Sequence, residues 1–192
     1  FRRSRGLGDV YKRQVHSWGY DLSSHLAINE RYGTPYDLKS FVDQAHLRGI
    51  AVILDQVWNH VRREGALYQI QKNYDLNPYL KPWTQTNTNE NQESWGQEDL
   101  DHFNMKTVEY VNNVNKIFLD EYKIDGFRFD AGRYIGWDLD QPEYGLKAWT
   151  DALNQYDNNV IQIIEYLPSD PWLINTLNVS SSWHDSFHDR LK

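Results

Sequence analysis

Three acidic residues sit at or near the ends of three apolar runs in this 192-residue chain. Asp55 falls near the end of IAVILDQV, Asp130 closes IDGFRFD, and Glu165 lies in VIQIIEYL. Arg128 stands two residues before Asp130. Alternate side chains of a strand share a face, so Gly126, Arg128 and Asp130 fall on one side and Phe127 and Phe129 on the other. Burying three acids and an arginine at random is costly, because unpaired charges desolvate badly. Any one of these acids reads equally well as a helix N-cap or as a surface residue just beyond its strand. Three in register, with an arginine among them, point to an active site.

The elements that must position these groups are legible on either side of them. Thr34 and Pro35 read as the N-cap and first position of a helix, with Leu38, Phe41, Val42 and Ala45 on its apolar face and Gly49 at its end. Val108, Val111, Phe118 and Tyr122 predict a helix over about 105–122, and Leu146, Trp149, Thr150 and Leu153 another. The apolar runs read as strands of a parallel sheet buried on both faces, with Phe127 and Phe129 packed under helices. Alternating helix and strand is an α/β pattern, and side chains at C-terminal strand ends converge at the mouth of a (β/α)8 barrel. Residues 61–104 break the pattern: they are polar, aromatic and rich in Asn and Gln. A stretch so long without structure is rare in a compact domain unless functional, so it reads as an insertion on the catalytic face. Trp83 and Trp95 within it are either sugar platforms or the small core of a subdomain.

With 40% hydrophobic and 24% charged residues, the chain is not disordered, collagen-like or a coiled coil. It has no cysteine, which excludes disulfides, thiolate metal sites and cysteine nucleophiles. No apolar run approaches the ~20 residues of a membrane span. A net charge of −7 argues against a nucleic-acid partner. Eight Trp and thirteen Tyr exceed what a core needs, and such amphipathic rings suit sugar or partner binding. Residues 1–14 set Arg2, Arg3, Arg5, Lys12 and Arg13 against Asp9 alone, with no period and no signal-peptide core. They read as a non-native leader or a basic arm that packs against nothing, and the chain as a piece of a longer protein.

Asp55-Gln56-Val57-Trp58-Asn59-His60 resembles the first signature of the α-amylase family, glycoside hydrolase family 13. Gly126-Phe127-Arg128-Phe129-Asp130-Ala131 resembles the second signature, and Glu165 after its apolar strand the third. Gln97-Glu98-Asp99-Leu100-Asp101 is similar to the motif near the end of the family's domain B. Trp18-Gly19-Tyr20-Asp21, followed by Arg31-Tyr32-Gly33-Thr34-Pro35, resembles the segment entering the third barrel strand. The motifs keep their order over residues 15–192.

The resemblance implies a partial (β/α)8 TIM barrel, about strands three to five, with domain B inserted at about 61–104. It implies a retaining glycoside hydrolase acting on α-glucosidic bonds of starch-like α-glucans, with no nucleic acid, membrane or organic cofactor involved. Asp130 would be the nucleophile and Glu165 the general acid/base. Arg128 would hold Asp130 ionised, and Asp55 would brace Arg128. Tyr20 would stack on the ring being cleaved and His60 would hydrogen-bond a sugar hydroxyl. Asn59 and Asp99 match calcium-ligand positions, although relatives near the branching enzymes lack that ion. Two alternatives stand beside this reading: a transglycosylase such as a branching enzyme, and a non-catalytic glucan-binding or transporter-associated relative.

The family's third acid is expected beyond residue 192, so the isolated chain is expected to be inactive. His184-Asp185 follows Glu165 too closely to allow even one βα unit of ~30 residues. Arg133-Tyr134 stand where the family often has Lys-His. His184 and His188, spaced i, i+4, are a metal pair or, more simply, a surface pair, and Asn178-Val179-Ser180 fits a glycosylation sequon. Localisation is open, an extracellular or periplasmic setting being slightly favoured over the cytoplasm.

Overall fold

A computed structural model describes residues 19–70, 76–80, 97–135 and 142–184. The readings made for residues 1–14, Trp18, Trp83, Trp95, Asp185 and His188 fall outside these. Helix α1, Pro35–His46, starts as its sequence predicts. The Thr34 hydroxyl accepts the Asp37 N–H and the Asp37 carboxylate accepts the Thr34 N–H, a reciprocal capping box. Val42 and Ala45 are buried on its inner face, but Phe41 is 60% exposed, contrary to its predicted place in the apolar stripe. Strand β1, Ile53–Gln56, follows. A short ribbon of β2, His60–Val61, and β3, Glu98–Asp99, encloses helix α2, Ala66–Ile70.

Helix α3 runs over Met105–Tyr122, capped by the Asn104 side chain at one end and by Lys123, in the left-handed region at φ 57°, at the other. Strand β4, Gly126–Phe129, leads into the short helix α4, Gly132–Ile135. Helix α5, Gly145–Tyr156, strand β5, Ile161–Ile164, helix α6, Pro171–Leu177, and strand β6, Ser181–Ser182, complete the described elements. Among the described residues no helix is long and apolar enough to cross a membrane.

The strands β1-β4-β5-β6 form one parallel sheet in that order. Its register sorts side chains by face. Leu54, Phe127 and Gln162 share one cross-strand row, and Gln56, Phe129 and Ile164 another. These rows face the helices. Phe127 and Phe129 are fully buried and the Phe129 ring lies 6.3 Å from Trp149 of α5. Two amide pairs engage the polar members: Gln56 Nε2 donates to Asn115 Oδ1 at 3.2 Å and Gln162 Nε2 to Asn154 Oδ1 at 2.8 Å. The intervening row, Asp55, Arg128, Ile163 and Ser181, faces the other side.

Three expectations need correction. On the face away from the helices Ile53 is 37% exposed and Ile163 half-buried, so among the described residues that face is less covered than the two-sided burial expected. The sheet also has a fourth strand, β6, beyond the three that the apolar runs mark, and α6 with β6 fits between Glu165 and His184, contrary to the expectation that this stretch is too short for a βα unit. Two serines held by β5 give no apolar signal.

The described parts of 61–104 are not a loose loop. Leu80 and Leu100 form a β-bridge, and Leu67, Leu80 and Leu100 are buried in the same apolar cluster as Val42 and Phe118.

Candidate active site

The parallel register sets Phe129 of β4 beside Ile164 of β5, so the next residues, Asp130 and Glu165, leave adjacent strand ends together. Asp55 enters two rows earlier, level with Arg128. The Arg128 guanidinium ties all three acids. Its Nη1 donates to Asp55 Oδ1 at 2.7 Å and to Asp130 Oδ1 at 2.6 Å, and its Nη2 lies 2.7 Å from Glu165 Oε2. Trp183, which follows β6, lies against the guanidinium with its ring centre 4.4 Å from Cζ. The four residues chosen from the sequence therefore form one cluster, and Trp183 joins it unforeseen.

The cluster opens onto a cleft of about 440 Å³. Asp130, Ala131 and Glu165 line it, together with Tyr20, Asp21, His60 and Gln97 from outside the sheet. Ala131 adopts φ 50°, a left-handed conformation that costs an alanine about 1 kcal/mol or more. The result is functional geometry, since the Ala131 N–H donates to Glu165 Oε2 at 2.7 Å.

One guanidinium among three carboxylates leaves surplus negative charge. Burial pushes Asp130 up to about 6; the Arg128 charge opposes this, while the charge and hydrogen bond of Glu165 add to it. The Arg128 charge and hydrogen bond act in the expected direction, favouring the ionised form, while burial and Glu165 outweigh them. Burial works against the charge of Arg128 itself, but the hydrogen bond and charge of Asp55, with Glu165 and Asp130 behind it, raise its pKa overall.

Tyr20 donates its hydroxyl to Asp55 Oδ2 at 3.0 Å, and its ring centre is 5.8 Å from Arg128 Cζ. The ring is 38% exposed at the cleft, so a face remains open for stacking. His60 also lines the cleft, but its Nε2 is spent on the Tyr20 carbonyl at 2.9 Å. Burial lowers its pKa, consistent with a neutral ring whose Nε2–H fixes the Tyr20 backbone. In this structure His60 positions Tyr20 rather than presenting Nε2 to a ligand.

Asn59 and Asp99 are buried at the β2–β3 ribbon, where Asp99 pairs with His60 and Leu100 N–H donates to the Asn59 carbonyl at 3.2 Å. They would supply two of the 6–8 oxygens that calcium takes. Among the described residues no group of three His, Cys, Asp or Glu side chains could hold a metal.

Arg133, at the departure from the family pattern, donates to the Leu167 carbonyl at 3.0 Å and joins α4 to the segment after β5. His184 is exposed. In the sequon, the Ser180 hydroxyl accepts the Gln162 N–H at 3.0 Å.

Sequence reasoning missed Asp21, Gln97 and Trp183 as members of the site. Trp183 occupies the register row of Glu165, one residue past its strand, so recognising β6 would have found it.

Comparison with known proteins agrees with this geometry. The family model for the α-amylase catalytic domain matches residues 7–95. A malto-oligosyltrehalose trehalohydrolase of Saccharolobus solfataricus is 33% identical over 177 residues, covering 89% of this chain and 29% of the relative. A 1,4-α-glucan-branching enzyme of Debaryomyces hansenii is 32% identical over 146 residues, covering 70% of this chain and 20% of the relative. The chain thus spans less than a third of the length of these relatives. Among solved structures, an α-amylase from Geobacillus thermoleovorans complexed with acarbose superposes with a TM-score of 0.72 at 20% identity, over 90% of this chain and 39% of that one. An Anoxybacillus α-amylase gives a TM-score of 0.72 at 22% identity, over 90% of this chain and 38% of its own. These likenesses place the four-strand sheet as part of a (β/α)8 barrel.

Proposed function

Because this chain belongs to the α-amylase family, we propose that its protein hydrolyses α-glucosidic bonds of starch-like glucans with retention of configuration. One observation carries the reading: Asp130 and Glu165 leave adjacent parallel strands, line one cleft and are held by the same guanidinium. Two carboxyl groups so placed are the equipment of a double displacement.

The Asp130 carboxylate attacks the anomeric carbon while Glu165 protonates the departing glycosidic oxygen. The C–O bond breaks and a glycosyl ester forms on Asp130. Glu165, now ionised, takes a proton from water, whose oxygen attacks the anomeric carbon and releases Asp130. Arg128 orients the nucleophile through Nη1, and Asp55 fixes Arg128 on the same nitrogen. Glu165 is held through Oε2 by Arg128 and the Ala131 N–H, which leaves Oε1 as the oxygen to exchange a proton with the substrate. Tyr20 supplies the apolar wall against which a sugar ring stacks.

The test is the anomeric form of the first product. The full-length protein is incubated with maltopentaose and the new reducing end is followed by proton NMR before mutarotation. An α-anomer supports the reading, and a β-anomer or no cleavage overturns it. A glucan of altered linkage without net hydrolysis would instead mark a sugar acceptor, the outcome expected of a 1,4-α-glucan-branching enzyme such as the Debaryomyces hansenii relative.

A further inference from the structure

The cleft holds a carboxylate that the two-acid reaction does not use. Asp21 lines it with its side chain 23% exposed, and behind it lies Arg62, whose side chain is 7% exposed. Arg62 Nε is 3.1 Å from Asp21 Oδ1 and 3.3 Å from Glu64 Oε2, the latter at the solvent side. Burying a guanidinium costs several kcal/mol unless it is paired, so its place behind a cleft-lining acid calls for a role.

The backbone around the pair is stitched just as closely. His60 Nε2 donates to the Tyr20 carbonyl at 2.9 Å, Arg62 N–H to Leu22 at 3.3 Å and Ala66 N–H to Ser23 at 3.1 Å. Gly65 permits the approach, since a Cβ there would stand 3.0 Å from the Ser23 oxygen. Residues 20–23 are therefore held against 60–66 by three bonds, at Tyr20, Leu22 and Ser23, and Asp21 is the acid within that seam.

We infer that Asp21 binds substrate by accepting a hydrogen bond from a sugar hydroxyl, and that Arg62 is the positioning residue that sets its carboxylate at the cleft. A carboxylate only accepts, and hydroxyls of a neutral sugar donate, so the ligand chemistry is matched. With Asp130 and Glu165 on the same cleft, Asp21 also disfavours sugars bearing phosphate or carboxylate groups. The inference rests on the glucan reading above and deepens it from a bond cleaved to a ligand recognised.

The test compares steady-state kinetics of the full-length protein on maltopentaose for the wild type, Asp21→Asn, Arg62→Met and Arg62→Lys, with melting temperatures recorded for each. Losing one charge-assisted hydrogen bond predicts that Asp21→Asn raises KM about tenfold while kcat changes less than about threefold. Arg62→Met raises KM in the same way, the double variant is no worse than Arg62→Met alone, and Arg62→Lys recovers part of the loss. A folded Asp21→Asn protein with wild-type KM overturns the inference while leaving the hydrolase reading intact. Should Arg62→Met fail to fold, Asp21→Asn alone decides the matter. A wild type that does not turn over maltopentaose overturns the hydrolase reading and this inference with it.

Discussion

Glu165 Oε2 lies 2.7 Å from Arg128 Nη2, on the other nitrogen from the one that holds Asp130. The two carboxyl groups thus share a guanidinium without sharing a donor, and the Ala131 N–H fixes the same Glu165 oxygen from the β4–α4 turn. This arrangement separates the roles: Asp130 is aimed through Nη1 of the arginine, whereas Glu165 keeps one oxygen free of these donors. Glu165→Gln should therefore lower kcat on maltopentaose by about 10²–10⁴-fold, the usual worth of general acid–base catalysis. With a glycosyl fluoride, whose leaving group needs little protonation, formation of the glycosyl ester should be nearly unimpaired. Equal losses on both substrates would remove the acid/base role from Glu165.

Asp130 must be ionised to attack, and burial together with Glu165 pushes it up to about 6. The kcat/KM of the free enzyme should accordingly fall as pH drops through about 6. Removing part of the positive field on that carboxylate should move the limb further up, because Arg128 is what restrains the shift. An Arg128→Lys variant supplies the check: an acid limb that stays put would mean that another group controls it.

The thermodynamics of the same residue favour its loss. Asp130 has a raised pKa in the folded protein, so the folded state binds more protons than the unfolded one between the ordinary carboxyl value of 3.8 and about 6. That contribution to stability is complete below the lower value and is lost as pH rises through the upper one. At about pH 8 the protein carries an ionised, buried carboxylate at a cost of roughly 2–3 kcal/mol. Asp130→Asn should abolish turnover yet unfold at higher denaturant than the wild type at about pH 8, the advantage vanishing below about pH 4. A variant that is inactive and also less stable at high pH would contradict this.

His25 works in the opposite direction. Its ring is buried, stacked on Trp58 at 4.2 Å, and burial lowers it from 6.5 to about 4 despite its bond to the Val57 carbonyl. Here the unfolded state binds the extra proton. Stability is complete above 6.5 and lost as pH falls to about 4, by about 3 kcal/mol. The two titrations oppose each other over nearly the same window, so the wild type should show little net slope from this pair. Each single variant unmasks the other residue: Asp130→Asn should gain stability as pH rises from about 4 to 6.5, and His25→Phe should lose it. Urea unfolding across that range measures both slopes, and parallel curves for the two variants would refute the assignment.

What was legible in the sequence is what local rules govern. The Thr34 N-cap and the bounds of the 105–122 helix follow from spacing alone. So does the grouping of Arg128 with Asp130 on one face of a strand. The acid at the end of each apolar run then needed only the parallel register to meet the others. Arg62 and Asp21 are 41 positions apart and meet through a seam of main-chain bonds, which has no periodicity to read. His60 carries a familiar motif, but its partner is a backbone carbonyl, and carbonyls leave no trace in side-chain patterns. Phe41 shows the reverse limit: helical spacing places a residue on a face but does not say whether anything covers it.

Gly126 tests how tightly the two catalytic strands are set. It pairs with Ile161 across β4 and β5, the same ladder that brings Asp130 level with Glu165. A Cβ at this position would collide with the Ile161 carbonyl oxygen and stand 2.8 Å from its carbonyl carbon. Backbone cannot swing aside as a long side chain can, so Gly126→Ala must push the strands apart or shift their register. Overpacking of this kind costs about 1–3 kcal/mol, and the rigid ladder places the variant at the upper end. The larger effect should fall on rate. A displacement of about 1 Å between groups that must meet one anomeric carbon costs on the order of 10²-fold. Gly126→Ala should therefore lower kcat far more than its fractional loss of stability suggests, with KM little changed because Tyr20 and Asp21 lie off the sheet. Assay well below the variant's melting temperature separates the two effects. A fully active Gly126→Ala protein would show that the spacing of β4 and β5 does not set the distance between the acids.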